Sequence, residues 1–287
     1  ERTGHVFDSN EGAEIKVDIF NTGEAADYTV TAKVSNADGK LVKEESRTVL
    51  AKTGGSTDGS IVLKGLDCGF YSAEVSVTSG DRHSDDTVEF SIAKAVTRQN
   101  PNSIFGTCTH ISGQKANSDK LNSMMYMLKK SGVDMIRDEY YWNHVELEKG
   151  KYTFYADDYV NACTENGIKP LIVLSYSNKF YGVPHDEDGY KAFAAYAAAV
   201  AEHLKGKADC FEVWNEWNSG TWNGGYGIEH YANILKYTYE ALKAVDENIT
   251  VVAGATITAS AGRFDSLFSI KADGKSMFEY CDAISYH

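Results

Sequence analysis

The chain has 287 residues and a formal net charge of −13, from 28 basic against 41 acidic side chains, with a pI near 5.1. That balance excludes unaided attraction to nucleic acid or an anionic membrane and makes a neutral polymer the better partner, while 43% hydrophobic content allows a sizeable core in about two domains. No run approaches the roughly 18 apolar residues of a membrane span, so none is expected.

From Ala13 to about Ile92 apolar residues recur with period two: Ile15, Val17 and Ile19, then Tyr28, Val30, Ala32 and Val34, then Tyr71, Ala73, Val75 and Val77. Such alternation makes half-buried strands. Between them Asn21-Thr22-Gly23, Ala37-Asp38-Gly39, Thr53-Gly54-Gly55 and Asp67-Cys68-Gly69 supply residues that tolerate positive φ. About six or seven short strands predict an antiparallel β-sandwich of immunoglobulin or fibronectin type over residues 1–97. This region has no tryptophan and is expected to be a structural accessory rather than a sugar-binding module.

A linker around Thr97 to Asn102 precedes a change of texture. Short apolar runs then alternate with helical segments, as βα units do. The predicted strands are Ile104 to Thr109, Val133 to Arg137, Pro170 to Ser175, Cys210 to Asn215, Thr250 to Ala255 and Ala283 to His287. The predicted helices are Ser118 to Lys130 with Ser118 as N-cap, Asp157 to Asn166, Tyr190 to Leu204, Ile228 to Val245 and Phe264 to Ala272. Gly106-Thr107-Cys108-Thr109-His110 lacks the glycine pattern of a phosphate loop, which disfavours a doubly wound sheet. Polar or aromatic residues close several strands (His110, Arg137, Tyr176, Glu216 and His287), and a TIM barrel gathers all such ends on one face. The fold class is therefore a β-sandwich followed by a TIM (β/α)8 barrel over residues 98–287, of which about six βα units are present.

The segment Phe211 to Asn218, FEVWNEWN, carries the chemistry. Its bland reading is a buried strand followed by a polar turn. Its sharper reading is a sugar site: glycoside hydrolysis needs an acid at the leaving oxygen, a hydrogen bond to the neighbouring hydroxyl and apolar faces for the rings. Glu216, Asn215 and the nearby indoles match those parts. Period two sets Glu212, Trp214 and Glu216 on one side of the strand, where Glu212 would pair with a buried cation such as Arg137. Trp217 and Trp222 flank or occupy the Gly/Asn-rich loop Ser219 to Gly227 and are read as sugar platforms, with Tyr176, Asn178, Phe180 and Tyr181 extending the cleft. His110, His144 and His287 read first as hydrogen-bonding residues. No HExxH, HxH or carboxylate cluster accompanies them, so neither catalytic metal nor cofactor is expected. Cys68, Cys108, Cys163, Cys210 and Cys281 contain no CxxC pair and are expected as mostly buried thiols.

Arg137, Trp142 with Glu146 before Gly150-Lys151-Tyr152-Thr153-Phe154, Gly167-Ile168-Lys169-Pro170, and Trp214-Asn215-Glu216 together resemble clan A glycoside hydrolases, family 39 and its relatives most of all. The resemblance covers about Ile104 to His287. It implies Glu216 as general acid/base, Asn215 on the hydroxyl beside the anomeric carbon, Arg137 as the residue orienting the nucleophile, and Tyr286 or His287 as polar contacts from strand six; Trp142 joins the substrate-contacting set. Trp217 departs from the proline of many relatives. The implied nucleophile closes strand seven, beyond His287, so the remaining barrel strands are expected from further sequence. Asp138 and Glu139, placed on the loop after strand two, are the nearest internal substitutes.

The function so predicted is a retaining glycoside hydrolase cleaving β-glycosidic bonds in a poly- or oligosaccharide, secreted or on the cell surface of a bacterium. The alternatives are a non-catalytic glycan-binding protein on the same barrel and, with less to carry it, an adhesion or scaffold protein led by the sandwich.

Overall fold

The computed structural model describes residues 3–94, 103–113 and 118–287. The expected linker and the side chain of Ser118, the expected N-cap, lie outside the described residues. The chain divides into two compact units, Glu1–Arg98 and Gln99–His287.

In the first unit the strand order is Val6–Asp8, Arg82–Ala93, Gly69–Ser79, Ala26–Asn36, Leu41–Ala51. All neighbours are antiparallel except Val6–Asp8, which runs parallel to Arg82–Ala93. Val30, Ala32 and Val34 sit opposite Val77, Val75 and Ala73, and the strand alternation turns this set to one face. Two ribbons, Ala13–Ile15 with Ile61–Leu63 and Asp18–Asn21 with Gly55–Asp58, send Ala13, Ile15, Ile19, Ile61 and Leu63 into the same core. Burial worth about 1.5–3 kcal/mol per large aliphatic side chain makes period two legible here. Two readings are corrected. The run Ile15 to Ile19 is two strands rather than one, broken where the Lys16–Val17 main chain turns to Ser60 and Gly59. Leu41–Ala51 went unread because most of its side chains face solvent and are polar.

The second unit has six parallel strands in sequential order: β1 (Gly106–Cys108), β2 (Met135–Tyr141), β3 (Lys169–Ser175), β4 (Cys210–Val213), β5 (Thr250–Thr256) and β6 (Ala283–Tyr286). Between them lie α1 (Ser118–Lys130), α2 (Trp142–Val145), α3 (Asp157–Glu165), α4 (Glu187–His203), α5 (Ile228–Val245) and α6 (Ala261–Ser269). Ile136, Tyr140, Ile172, Leu174, Phe211, Val213, Val251 and Ala253 occupy alternate positions and pack into one cluster with helix residues such as Val160, Phe193 and Leu235. The intervening positions, Arg137, Glu139, Val173, Glu212 and Val252, therefore face the other side of the sheet, the inner side of a barrel-like curve.

Strand ends and helix starts differ from the sequence reading where polar residues mislead. β2 continues to Tyr141, because Asp138 and Glu139 are buried inside it rather than looped out. Asp138 is satisfied there by the Thr109 and Ser112 hydroxyls at 2.6 Å and by the main-chain N–H of Ile111 at 2.6 Å. α4 begins at Glu187, three residues before Tyr190, with the Asp186 carboxylate accepting from the Gly189 N–H at 2.9 Å as N-cap. α6 likewise starts at Ala261 and ends at Ser269, ahead of the two-residue hairpin strands Lys271–Ala272 and Lys275–Ser276.

Candidate active site

The parallel strands bring residues from β2, β3, β4 and β6 to one end of the sheet. Arg137 is the third residue of β2, inside the strand rather than at its end as expected. Its Nε donates to Glu212 at 2.6 Å and its Nη2 donates to the Asn215 side-chain oxygen at 2.7 Å. Glu212 is fully buried, and its other oxygen accepts from the Ser285 hydroxyl at 2.5 Å. Ser285 can reach it because β5 and β6 approach closely at Gly254. A Cβ there would lie 2.4 Å from the Ser285 carbonyl oxygen, and the backbone φ of +110° is one that side-chain-bearing residues avoid. Burial by itself would depress the Arg137 guanidinium's pKa; the Glu212 carboxylate, by charge and hydrogen bond, more than offsets it, with Cys108 and Glu139 adding to the rise.

Guanidinium groups only donate, so Arg137 fixes the Asn215 amide with its oxygen inward. The Asn215 nitrogen then lies on the side away from Arg137 and donates to the Tyr176 hydroxyl at 2.8 Å. Burial first, then the charge of Glu139 and smaller contributions from Tyr141 and Glu216, push the Tyr176 phenol up to about 12, with the Asn215 hydrogen bond pulling the other way. The phenol is neutral at physiological pH, free to accept from Asn215.

Past β4 the backbone leaves the strand alternation. Trp214 has φ of +68° and Glu216 +51°, a left-handed conformation that costs about 1–2 kcal/mol in a residue with a Cβ. Trp214 is therefore not beside Glu212, as period two predicts. It turns into the helix-side core against Phe193. Asn215 takes the inner direction, and Glu216 emerges partly exposed, with its Oε1 3.0 Å from Nδ1 of His287 at the end of β6. Ile257 after β5 donates its N–H to the Asn218 side-chain oxygen at 2.9 Å, tying the loop after β4 to its neighbour.

Tyr141, Tyr176 and Trp222 form a stack, with centroid separations of 6.1 and 4.9 Å, and Trp222 is 43% exposed. Tyr286 is also exposed. Three residues read as substrate contacts are elsewhere. Trp142 is fully buried, stacked between Tyr181 and Tyr196, with its indole N–H on Glu146 at 2.7 Å. Asn178 is buried and spends its amide on the carbonyls of Trp142 and Glu146 and on the Phe180 N–H. Trp217 is buried against Tyr231 at 5.1 Å. Glu146 also accepts the Gly150 N–H at 2.7 Å, so the Trp142, Glu146 and Gly150 pattern is a loop lock. Among the cysteines, Cys68 and Cys108 are exposed and only Cys163 is buried, against the expectation of mostly buried thiols. Ser285 was missed, because a serine within a short strand carries no sequence signal. Among the described residues no group of three or more His, Cys, Asp or Glu side chains could hold a metal, and no helix is long and apolar enough to cross a membrane.

The six sequential parallel strands form a partial barrel, and the family match and fold likeness make it the TIM-barrel-like fold of clan A glycoside hydrolases. Residues 95–274 match the cellulase family, glycosyl hydrolase family 5, and the chain belongs to that family. No curated protein matches it. Among solved structures it is similar to a family 39 glycoside hydrolase from the gut symbiont Bacteroides cellulosilyticus WH2, with a TM-score of 0.75 at 21% identity over 100% of this chain and 56% of that one. It is also similar to a monomeric beta-xylosidase from Caulobacter crescentus CB15, with a TM-score of 0.50 at 20% identity over 64% of this chain and 41% of that one. At such identities the likeness is one of fold, and the chain spans little more than half the length of the family 39 structure.

Proposed function

We propose that the chain forms the acid/base half of a retaining glycosidase acting on β-linked glycan. The observation that carries this is Glu216 emerging beside Asn215, whose amide is held with its oxygen on Arg137 and its nitrogen on the Tyr176 hydroxyl. Glu216 protonates the departing glycosidic oxygen and later deprotonates water, His287 holds its carboxyl from the β6 side, and the Asn215 N–H binds the hydroxyl next to the anomeric carbon. Trp222 on Tyr176 offers an exposed aromatic face to a sugar ring. Tyr286, between Ser285 and His287, which reach Glu212 and Glu216, takes the other side of β6 and is not assigned a sugar contact. A retaining pair also needs an attacking carboxylate about 5 Å from the acid, and none of the residues named above is assigned that role. On this reading Arg137 acts by orienting Asn215. Residues 3–94, with two ribbons and a five-stranded sheet around one core, are a sandwich-like accessory domain of immunoglobulin type, and the whole is exported to the bacterial surface or beyond.

The test is turnover by the complete polypeptide. Glu216→Gln is expected to lower kcat/KM on unactivated β-linked oligosaccharides by roughly 10²–10⁴-fold, the range of general acid catalysis. It should spare the first step on aryl glycosides whose leaving group needs no proton. Unchanged hydrolysis of the unactivated substrates would refute the assignment.

A further inference from the structure

Two consecutive acids in β2 serve the loop after β1. Asp138 fixes its main chain, accepting from Ile111 N–H and from the Thr109 and Ser112 hydroxyls. Glu139 fixes the side chain between them: its Oε2 lies 3.0 Å from Nδ1 of His110. The burial of the pair is lopsided, since the Glu139 side chain is 6% exposed and that of His110 is 71% exposed. A carboxylate taken out of water costs several kcal/mol unless well partnered. Spending one to hold an otherwise solvent-facing ring is hard to explain by stability, because the ring adds little burial.

Position and chemistry say what the ring faces. Glu139 follows Arg137 by two residues on the inner side of β2, and its charge acts on Arg137 and on the Tyr176 phenol that receives the Asn215 amide. An ionised carboxylate only accepts, so Nδ1 of His110 carries the proton, and in the neutral ring Nε2 is an acceptor pointed away from Glu139.

Resting on the glycosidase reading above, we propose that His110 Nε2 accepts a hydrogen bond from one hydroxyl of the bound glycan, and that Glu139 is the positioning residue setting that ring's tautomer and direction. The pair makes specificity depend on a hydroxyl that can donate. A fluorine in its place, which only accepts, is refused like a hydrogen.

The test has two arms. In the first, nitrogen NMR of the ¹⁵N-labelled complete polypeptide at mildly alkaline pH reads the His110 tautomer without any substrate. The wild type is expected with Nδ1 protonated, and Glu139→Leu with the proton moved to Nε2; a wild type protonated at Nε2 overturns the proposal. In the second, kcat/KM is measured on para-nitrophenyl β-glucoside, β-xyloside, β-galactoside and β-mannoside, and then on monodeoxy and monofluoro derivatives of the best. One position should cost the wild type roughly 10- to 100-fold, the worth of a hydrogen bond in a charged network. His110→Ala should lose that discrimination entirely, Glu139→Leu should match it, and Glu139→Gln, which still accepts from Nδ1, should recover part. Discrimination unchanged in His110→Ala overturns the proposal, as does a covalent glycosyl adduct on Glu139, which would make it a nucleophile. Thermal melting of each variant separates lost folding from lost positioning. Glu216→Gln assayed beside them on unactivated β-linked oligosaccharides separates the two ideas, since unchanged turnover there would sink the glycosidase reading while the tautomer still tests the pair.

Discussion

Both units bury aliphatic side chains on alternating strand positions, but they differ in what polar groups they bury. Among the described residues the first unit buries one polar side chain, Asn21, whereas the second buries the carboxylates of Asp138, Glu139, Glu146 and Glu212 and the amides of Asn178 and Asn215. Asn21 closes turns: it donates to the carbonyls of Glu24 and Ala51 and accepts from Gly23 and Tyr28. In the second unit Asp138 and Glu146 do similar work on loops, but Glu212 serves a guanidinium whose other end holds Asn215. Buried charge without a local turn to satisfy marks the functional end of a fold, because such an arrangement is tolerated for positioning rather than for stability.

The difference can be broken experimentally. Glu212→Ala leaves the partly buried Arg137 without its carboxylate and is expected to cost about 3 kcal/mol, with activity lost beyond what the lowered melting temperature explains because Arg137 no longer holds Asn215 in place. Asn21→Ala should cost about 2 kcal/mol, the penalty of stranded buried partners, and leave kcat/KM untouched. Chemical denaturation of each variant with a matched activity assay decides the point, and equal activity loss from both would erase the distinction. A smaller pair of effects sharpens it. Trp217→Ala, opening a cavity against Tyr231, should destabilise by about 3–5 kcal/mol, whereas Trp222→Ala should leave stability within about 0.5 kcal/mol and weaken glycan affinity by about 1 kcal/mol.

These contrasts also explain what the sequence could disclose. Helices Ser118–Lys130 and Ile228–Val245 and the order of six parallel strands were legible, since burial imposes a period on the sequence. The Asn215-Glu216 pair was legible as a polar pair just past a strand end, and the Arg137–Glu212 pair as a matter of strand parity. What failed was each inference from polarity to exposure. Asp138 and Glu139 read as loop residues yet sit inside β2, and Trp217, in polar surroundings, is core. Trp214 escaped because a left-handed φ in a non-glycine residue is set by the tertiary fold, leaving no local mark for parity to follow. Leu41–Ala51 escaped for the opposite reason: an outer strand with two polar faces has no period to read.

The most direct measurement is the structure of the complete polypeptide as Glu216→Gln with a β-linked oligosaccharide bound. The scissile oxygen should lie within hydrogen-bond reach, about 3 Å, of the side chain at position 216, with the adjacent hydroxyl on the Asn215 N–H. A glycan seated away from both residues, or one whose glycosidic oxygen faces no group from the loop after β4, would contradict the account.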